Sequence, residues 1–136
     1  MKSNRLMSVA LLLGALALCA PLPLFAHHGA AAYADKILVL KDATVTKFVW
    51  SNPHNIVLFD VKDDGGNITH WAGEMGSPSA TGLLGWNRNS LQPGDVITVY
   101  IYPAKSGNPV GRLNKIMFAD GHVLRDSQLG GDKKDQ

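Results

Sequence analysis

Residues 55–78, NIVLFDVKDDGGNITHWAGEMGSP, carry the signals that decide the fold. The runs 55–62 and 68–75 alternate apolar with polar side chains, which is the period of a half-buried β-strand. Between them, the polar segment 63–67 contains two glycines and predicts a turn. The stretch therefore predicts two antiparallel strands joined as a hairpin.

A helix start follows this hairpin. Ser77 can accept a hydrogen bond from the first helical turn, and Pro78 has no N–H that would need a partner there. We expect a short helix over residues 79–84, because Gly85 suits the left-handed conformation that commonly ends a helix.

Three more segments have the composition of strands. Residues 43–50, ATVTKFVW, are rich in β-branched and aromatic side chains and precede the hairpin. After the helix, residues 96–102, VITVYIY, and residues 112–119 continue the sheet. Residues 122–124 extend or end it.

Three antiparallel strands, a short helix and two further strands is the order of the OB-fold, a five-stranded antiparallel β-barrel. A first strand spanning 37–50 is long enough to bend and pair on both sides. We predict an all-β, OB-like barrel over residues 37–125, with an open β-sandwich of the same strands as the alternative.

The amino-terminal residues 1–26 have the order of an export signal. Basic residues come first, then the uncharged apolar run 6–20, then a small residue, Ala26, at the cleavage point. The apolar run is about 15 residues, fewer than the roughly 20 that span a bilayer. We expect a periplasmic or secreted protein that begins at His27. Lipidation at Cys19 is the alternative.

Composition limits the partners of the exported chain. Without residues 1–26, 11 of the 13 basic residues remain against 11 acidic ones, and the only cysteine is gone. This excludes a disulfide and the basic stripe that nucleic-acid binding needs, and no second segment is long and apolar enough to cross a membrane. Residues 27–36 are expected to form a mobile arm, and the polar residues 126–136 a disordered tail.

Several short motifs are distinctive in combination: AHHG at 26–29, SNPH at 51–54, WxxEMGSP at 71–78, GW at 85–86, LxPGD at 91–95 and ADG at 119–121. Together they resemble a family of small exported bacterial proteins of unknown function, with Ser51 where those proteins have threonine. The resemblance implies a periplasmic or secreted location and an OB-like barrel. It implies no activity.

Two histidines begin the exported chain. The free amine and imidazole of His27 can chelate one metal ion, and a third nitrogen would complete a site suited to copper first and zinc second. The alternative is that the arm begins with His27 and His28 by chance. The predicted metal ligands are therefore His27, His28 and His54, and the further candidates are His70, Glu74, Met75 and His122.

Other roles are open for two of these candidates. His54 can cap the turn after Pro53 through backbone hydrogen bonds. Glu74 can accept hydrogen bonds from the following helix start or pair with Arg88. His70 lies four residues from Glu74 on one strand face, a distance of about 13 Å, so these two cannot share an ion.

The sequence favours a non-enzymatic binding or accessory module for an unknown small ligand or periplasmic protein. The alternative is a copper- or zinc-binding protein that uses His27. The tryptophans and tyrosines are expected in the core and at its rim, with a ligand-stacking surface as the alternative. In particular, we expect Trp71 and Val99 in one shared core. No G-x-S-x-G motif is present to suggest a nucleophilic enzyme.

Overall fold

The computed structural model describes residues 32–126, so the predicted signal peptide, His27, His28 and the segment 127–136 lie outside the described residues. The elements follow in the order β1 (Leu38–Val49), β2 (Ile56–Lys62), β3 (Ile68–Glu74), α1 (Pro78–Gly82), β4 (Val96–Pro103), β5 (Val110–Phe118) and β6 (Val123–Arg125). Within this part of the chain, no helix is long and apolar enough to cross a membrane.

The strands close into a barrel. Their order in the sheet is β3-β2-β1-β4-β5-β6, and a parallel pairing between β3 and β5 joins the two sides. That pairing is short and aligns residues 72–74 with residues 110–112. The predicted all-β, OB-like barrel is confirmed, with β6 as an added strand on β5. The closure excludes the open sandwich.

Strand β1 serves both sides of the barrel. Its residues 38–44 pair with β4 and its residues 44–49 pair with β2, with a register shift in each pairing. Asp42 lies at the register shift of the β1–β4 pairing, between Leu40 and Ala43, and has φ of 52°, a left-handed conformation that aspartate tolerates better than most residues. The strand covers most of the expected span 37–50 and begins before the β-branched run at residue 43, because Lys41 and Asp42 interrupt the apolar alternation without ending the pairing.

The core follows the alternation of the strands. Val57 and Phe59 on β2 and Val99 on β4 are fully buried. Trp71 is half-buried, packs against this cluster and stacks on Phe59, with ring centroids 6.3 Å apart and planes 8° apart. The expected shared core is therefore present, with Trp71 at its margin. Further buried apolar residues are Ala43, Val45, Met75, Trp86, Leu91, Ile97, Ile101, Leu113, Ile116 and Leu124.

The helix starts as its sequence predicts. Ser77 is the N-cap, and its hydroxyl accepts a hydrogen bond from the Ala80 N–H at 3.3 Å, with Pro78 in the first turn. The helix ends at Gly82, two residues before the predicted end. Gly85 has the expected left-handed conformation, with φ of 95°.

Part of the predicted amino-terminal arm is attached to the barrel. Tyr33 forms an isolated antiparallel bridge with Ala104, just after β4. The Ala34 N–H donates to the Pro103 carbonyl at 2.8 Å, and the Lys105 N–H donates to the Ala32 carbonyl at 2.9 Å. These bonds hold residues 32–34 beside the connection between β4 and β5.

Candidate functional site

The outward faces of β2 and β3 form the floor of a groove. Successive side chains of a strand point to opposite faces, and the alternate residues Val57 and Phe59 point into the core. The three cross-strand pairs on the outer face are Ile56 with Glu74, Leu58 with Ala72, and Asp60 with His70. The middle of this surface is apolar, and each end has ionisable side chains.

Two cavities lie along this face. One, of about 520 Å³, contacts the β1–β2 connection and the Tyr33 side chain. The other, of about 450 Å³, is bounded by Thr46 on β1 and by Pro109 in the β4–β5 connection. Both are lined by Ala72 and Val110, so they adjoin along the strands. We call the two cavities together the outer groove.

One end of the outer groove contains an imidazole and a carboxylate. His54 Nδ1 lies 3.0 Å from the Met75 carbonyl oxygen, and its Nε2 lies 3.5 Å from Glu74 Oε1. A carbonyl only accepts hydrogen bonds, so Nδ1 carries a proton and donates it. Nε2 is then directed towards Glu74. The His54 and Glu74 side chains are 46% and 38% exposed, so a ligand can reach both.

Tyr33 joins this end of the groove from the amino-terminal arm. Its hydroxyl donates to Glu74 Oε2 at 2.9 Å. Partial burial raises the pKa of the Tyr33 phenol above its ordinary value of 10.0, and the hydrogen bond to the Glu74 carboxylate raises that pKa further. The hydroxyl therefore stays protonated at neutral pH and orients one carboxylate oxygen.

Two of the sequence motifs meet beneath this end of the groove. Asn55 is fully buried between SNPH and EMGSP. Its side-chain amide donates to Thr81 Oγ1 at 2.9 Å, and its side-chain oxygen accepts from the Ser51 N–H at 3.1 Å. Its main-chain N–H donates to the Gly76 carbonyl at 3.0 Å. The Asn52–Pro53 peptide bond between these contacts is cis. Asn55 thereby fixes the β1–β2 connection, and with it His54, against the residues that follow Glu74.

An ion pair between the buried Asp126 and the partly exposed Arg112 holds the other side of the same junction. Asp126 Oδ1 accepts from the Gly76 N–H at 2.7 Å, and its Oδ2 accepts from Arg112 Nε at 3.1 Å and Nη2 at 2.9 Å. The Asp126 side chain is 3% exposed. Asp126, predicted to begin the disordered tail, instead connects β5 to the segment between β3 and α1.

A second imidazole–carboxylate pair occupies the other end of the groove. His70 Nδ1 lies 2.6 Å from Asp60 Oδ1, across the β2–β3 pairing. The His70 side chain is 82% exposed. As the strand spacing predicts, His70 and Glu74 do not meet. Each has a partner on or next to β2.

The remaining predicted ligands lie elsewhere. Met75 is fully buried in the core, so its thioether is not available to an ion in the outer groove, contrary to its expected role. His122 stacks on Phe118 near the turn between β5 and β6, with ring centroids 5.6 Å apart. His27 and His28 are outside the described residues. Among residues 32–126, no three side chains of histidine, cysteine, aspartate or glutamate converge on one point.

Glu74 does not have the structural role expected from its position before the helix. The Ala80 N–H donates to the Ser77 hydroxyl and the Gly76 N–H donates to Asp126, while Glu74 contacts Tyr33 and His54. The His54 ring does hydrogen-bond to the backbone, but its partner is the Met75 carbonyl after β3 and not a group of the turn that His54 was expected to cap.

Sequence reasoning missed three residues of this site. Tyr33 stands out as the single aromatic residue of the alanine-rich segment 29–35. Asn55 is a polar residue at the position where β2 was expected to begin, and Asp126 directly follows the last strand. Each is a weak signal, because its partner is distant in the sequence.

Residues 15–114 of the sequence match the family of unknown function DUF6152. The chain belongs to this family. The matched range includes Tyr33, His54 and Glu74, and thus the whole of the first cavity's polar end. No curated protein and no solved structure matches the chain.

Proposed function

We propose that this family member is an exported, non-enzymatic binding module whose ligand occupies the outer groove. The observation that carries the proposal is the pair of adjoining cavities across the outer face of β2 and β3. OB-fold domains bind ligands on this face, between the β1–β2 and β4–β5 connections. Both connections border the outer groove here.

The side chains of the groove suggest the shape and polarity of the ligand. Ile56, Leu58 and Ala72 form an apolar floor, and a histidine–carboxylate pair stands at each end. The two pairs are four residues apart along the strands, about 13 Å. The proposed ligand is therefore elongated, with an apolar middle and polar ends that hydrogen-bond to the carboxylates and imidazoles.

A blocking substitution tests this proposal. Ala72→Arg places a long side chain in the middle of the groove, and Thr98→Arg is the matched control, because Thr98 lies on the outward face of β4 between the buried Ile97 and Val99. The probes are linear aliphatic diamines and short extended peptides, followed by NMR shifts of the backbone amides. We expect shifts along β2 and β3 that Ala72→Arg abolishes and Thr98→Arg preserves. Shifts that persist in Ala72→Arg would contradict the proposal.

Export is tested separately. We expect the protein purified from the periplasmic fraction to have the mass of residues 27–136. A mass that includes residues 1–26, or a lipidated Cys19, would contradict the proposed processing at Ala26.

The second candidate function is metal binding, with copper as the first choice and zinc as the second. The attachment of Tyr33 to the barrel supports it, because six residues span at most about 20 Å, so His27 is within reach of the outer groove. We propose that the processed amine and imidazole of His27 bind Cu(II) together. An added amino-terminal glycine moves the amine away, so it should weaken Cu(II) binding strongly. Equal affinities for the processed and extended proteins would refute this function.

A further inference from the structure

We infer that His54 and Glu74 form a divalent transition-metal site on the barrel, with Nε2 and Oε1 as ligands. This inference rests on the proposed metal-binding function and adds two ligands from the described residues. If His27 alone bound the ion, substitutions in the barrel would not change metal affinity. The geometry at the end of the outer groove points to a site on the barrel itself.

The imidazole of His54 is already oriented as metal ligands usually are. Its Nδ1–H donates to the Met75 carbonyl at 3.0 Å, which leaves Nε2 as the nitrogen with an available lone pair. In metal sites, the second ring nitrogen of a histidine commonly donates to a carbonyl or carboxylate, which fixes the tautomer and the ring direction. The turn around Pro53 and the buried Asn55 hold the ring in this position.

The carboxylate is oriented in a complementary way. Tyr33 donates to Glu74 Oε2, so Oε1 is the oxygen left for an ion. Oε1 and His54 Nε2 are 3.5 Å apart. Two ligands at 2.0–2.2 Å from a tetrahedral ion are separated by about 3.4 Å. An ion can therefore bind both atoms with little movement of either side chain.

The mixture of ligands indicates the class of metal. One imidazole nitrogen and one carboxylate oxygen suit Zn(II) and Cu(II), whereas Ca²⁺ and Mg²⁺ prefer oxygen ligands alone. A protein zinc site usually has three or four protein ligands. Within residues 32–126 no third side chain of histidine, cysteine, aspartate or glutamate converges here, so water completes the coordination in the proposed barrel site.

The other histidine–carboxylate pair provides an internal comparison. His70 Nδ1 is 2.6 Å from Asp60 Oδ1, too close for an ion to bind between these two atoms. This pair is a direct hydrogen bond on an exposed surface. His70→Ala is therefore the matched control for changes at His54 and Glu74.

Calorimetric titration of Zn(II) and Cu(II) into residues 27–136 from the periplasm tests the inference. Glu74→Gln keeps an acceptor for Tyr33 but removes the charged ligand. His54→Asn keeps an N–H near the position of Nδ1 but has no counterpart of Nε2. We expect each to lower metal affinity by about 100-fold or more, Tyr33→Phe by about 10-fold, and His70→Ala by less than about twofold. Thermal melts without metal check that every variant is folded.

The outcomes separate this inference from the proposed metal-binding function. If the glycine extension abolishes binding while folded Glu74→Gln and His54→Asn bind like the parent, the barrel contributes no ligand and the inference is overturned. If both substitutions abolish binding and the extension does not, the barrel site stands and the role of His27 fails. If the parent protein binds neither Zn(II) nor Cu(II), both are refuted and His54–Glu74 is a simple ion pair.

Discussion

Replacing Asn55 with alanine tests the junction that positions the candidate site. The substitution removes the hydrogen bond from the amide to Thr81 Oγ1 at 2.9 Å and the bond that the Ser51 N–H donates at 3.1 Å. The main-chain bonds of Asn55 to Gly76 and Met75 remain available. The variant therefore reports on the side chain, with the pairing of β2 left in place.

The magnitude follows from these contacts. Two net hydrogen bonds contribute about 1 kcal/mol each, and an N–H left without a partner costs about 1–3 kcal/mol where water does not replace the acceptor. Thr81 is affected less, because its hydroxyl still donates to the Ser77 carbonyl at 3.0 Å. With the small cavity that the lost amide leaves, we expect Asn55→Ala to lower the free energy of unfolding by about 2–4 kcal/mol.

Urea denaturation of the parent and variant proteins measures this loss. Asn67→Ala is the control, because Asn67 is exposed in the β2–β3 turn, and its loss should cost under about 1 kcal/mol. NMR signals of the His54 ring should also shift in Asn55→Ala, because the β1–β2 connection loses its anchor. A loss below about 0.5 kcal/mol with unchanged His54 signals would refute the proposed role of Asn55.

Three further predictions concern the barrel. Gly111→Ala should lower the free energy of unfolding by more than about 2 kcal/mol in thermal or urea melts, because a Cβ there would lie 2.5 Å from the Tyr102 carbonyl oxygen. An unchanged stability would mean that β5 does not approach Tyr102 this closely. Trp71→Ala should cost about 2–3 kcal/mol, less than a fully buried tryptophan, and a loss under about 1 kcal/mol would mean that the ring faces solvent. The pKa of the Asp63 carboxyl should lie below its ordinary value of 3.8, and the main cause is the hydrogen bond from the Asn67 side chain. A lowered folded-state pKa favours folding above the unfolded pKa, and this contribution is lost as the pH falls through the folded value. In Asn67→Ala the Asp63 pKa should rise towards 3.8 in an NMR titration, and an unchanged pKa would exclude that cause.

The local elements of this protein could be predicted because their signals are local. The turn between β2 and β3 needs only polar residues and glycine within a few positions, and Ser77–Pro78 starts the helix with bonds inside its first turn. The alternation along β2 predicted which side chains enter the core, and Val57 and Phe59 are buried there. Hydrophobic period and turn chemistry sufficed for these features.

The sequence also identified two of the candidate site's side chains, His54 and Glu74, but it did not bring them together. Besides a ligand role, the sequence suggests for Glu74 a contact with the helix start or with Arg88, because a carboxylate before a helix is commonly favourable there. Only the pairing of β2 with β3 places Glu74 opposite Ile56, next to the turn that carries His54. The register is a property of two strands, and neither strand specifies it alone.

The sequence by itself therefore determined the strands, the helix start and the identity of the candidate ligand side chains. Tertiary structure alone decided the closure of β3 on β5, the contact of Tyr33 with Glu74 across 41 residues, and that of Gly76 with Asp126 across 50. Such contacts leave no local pattern. They form because closing the barrel buries one apolar face of every strand, and the polar partners that this brings together depend on the whole chain.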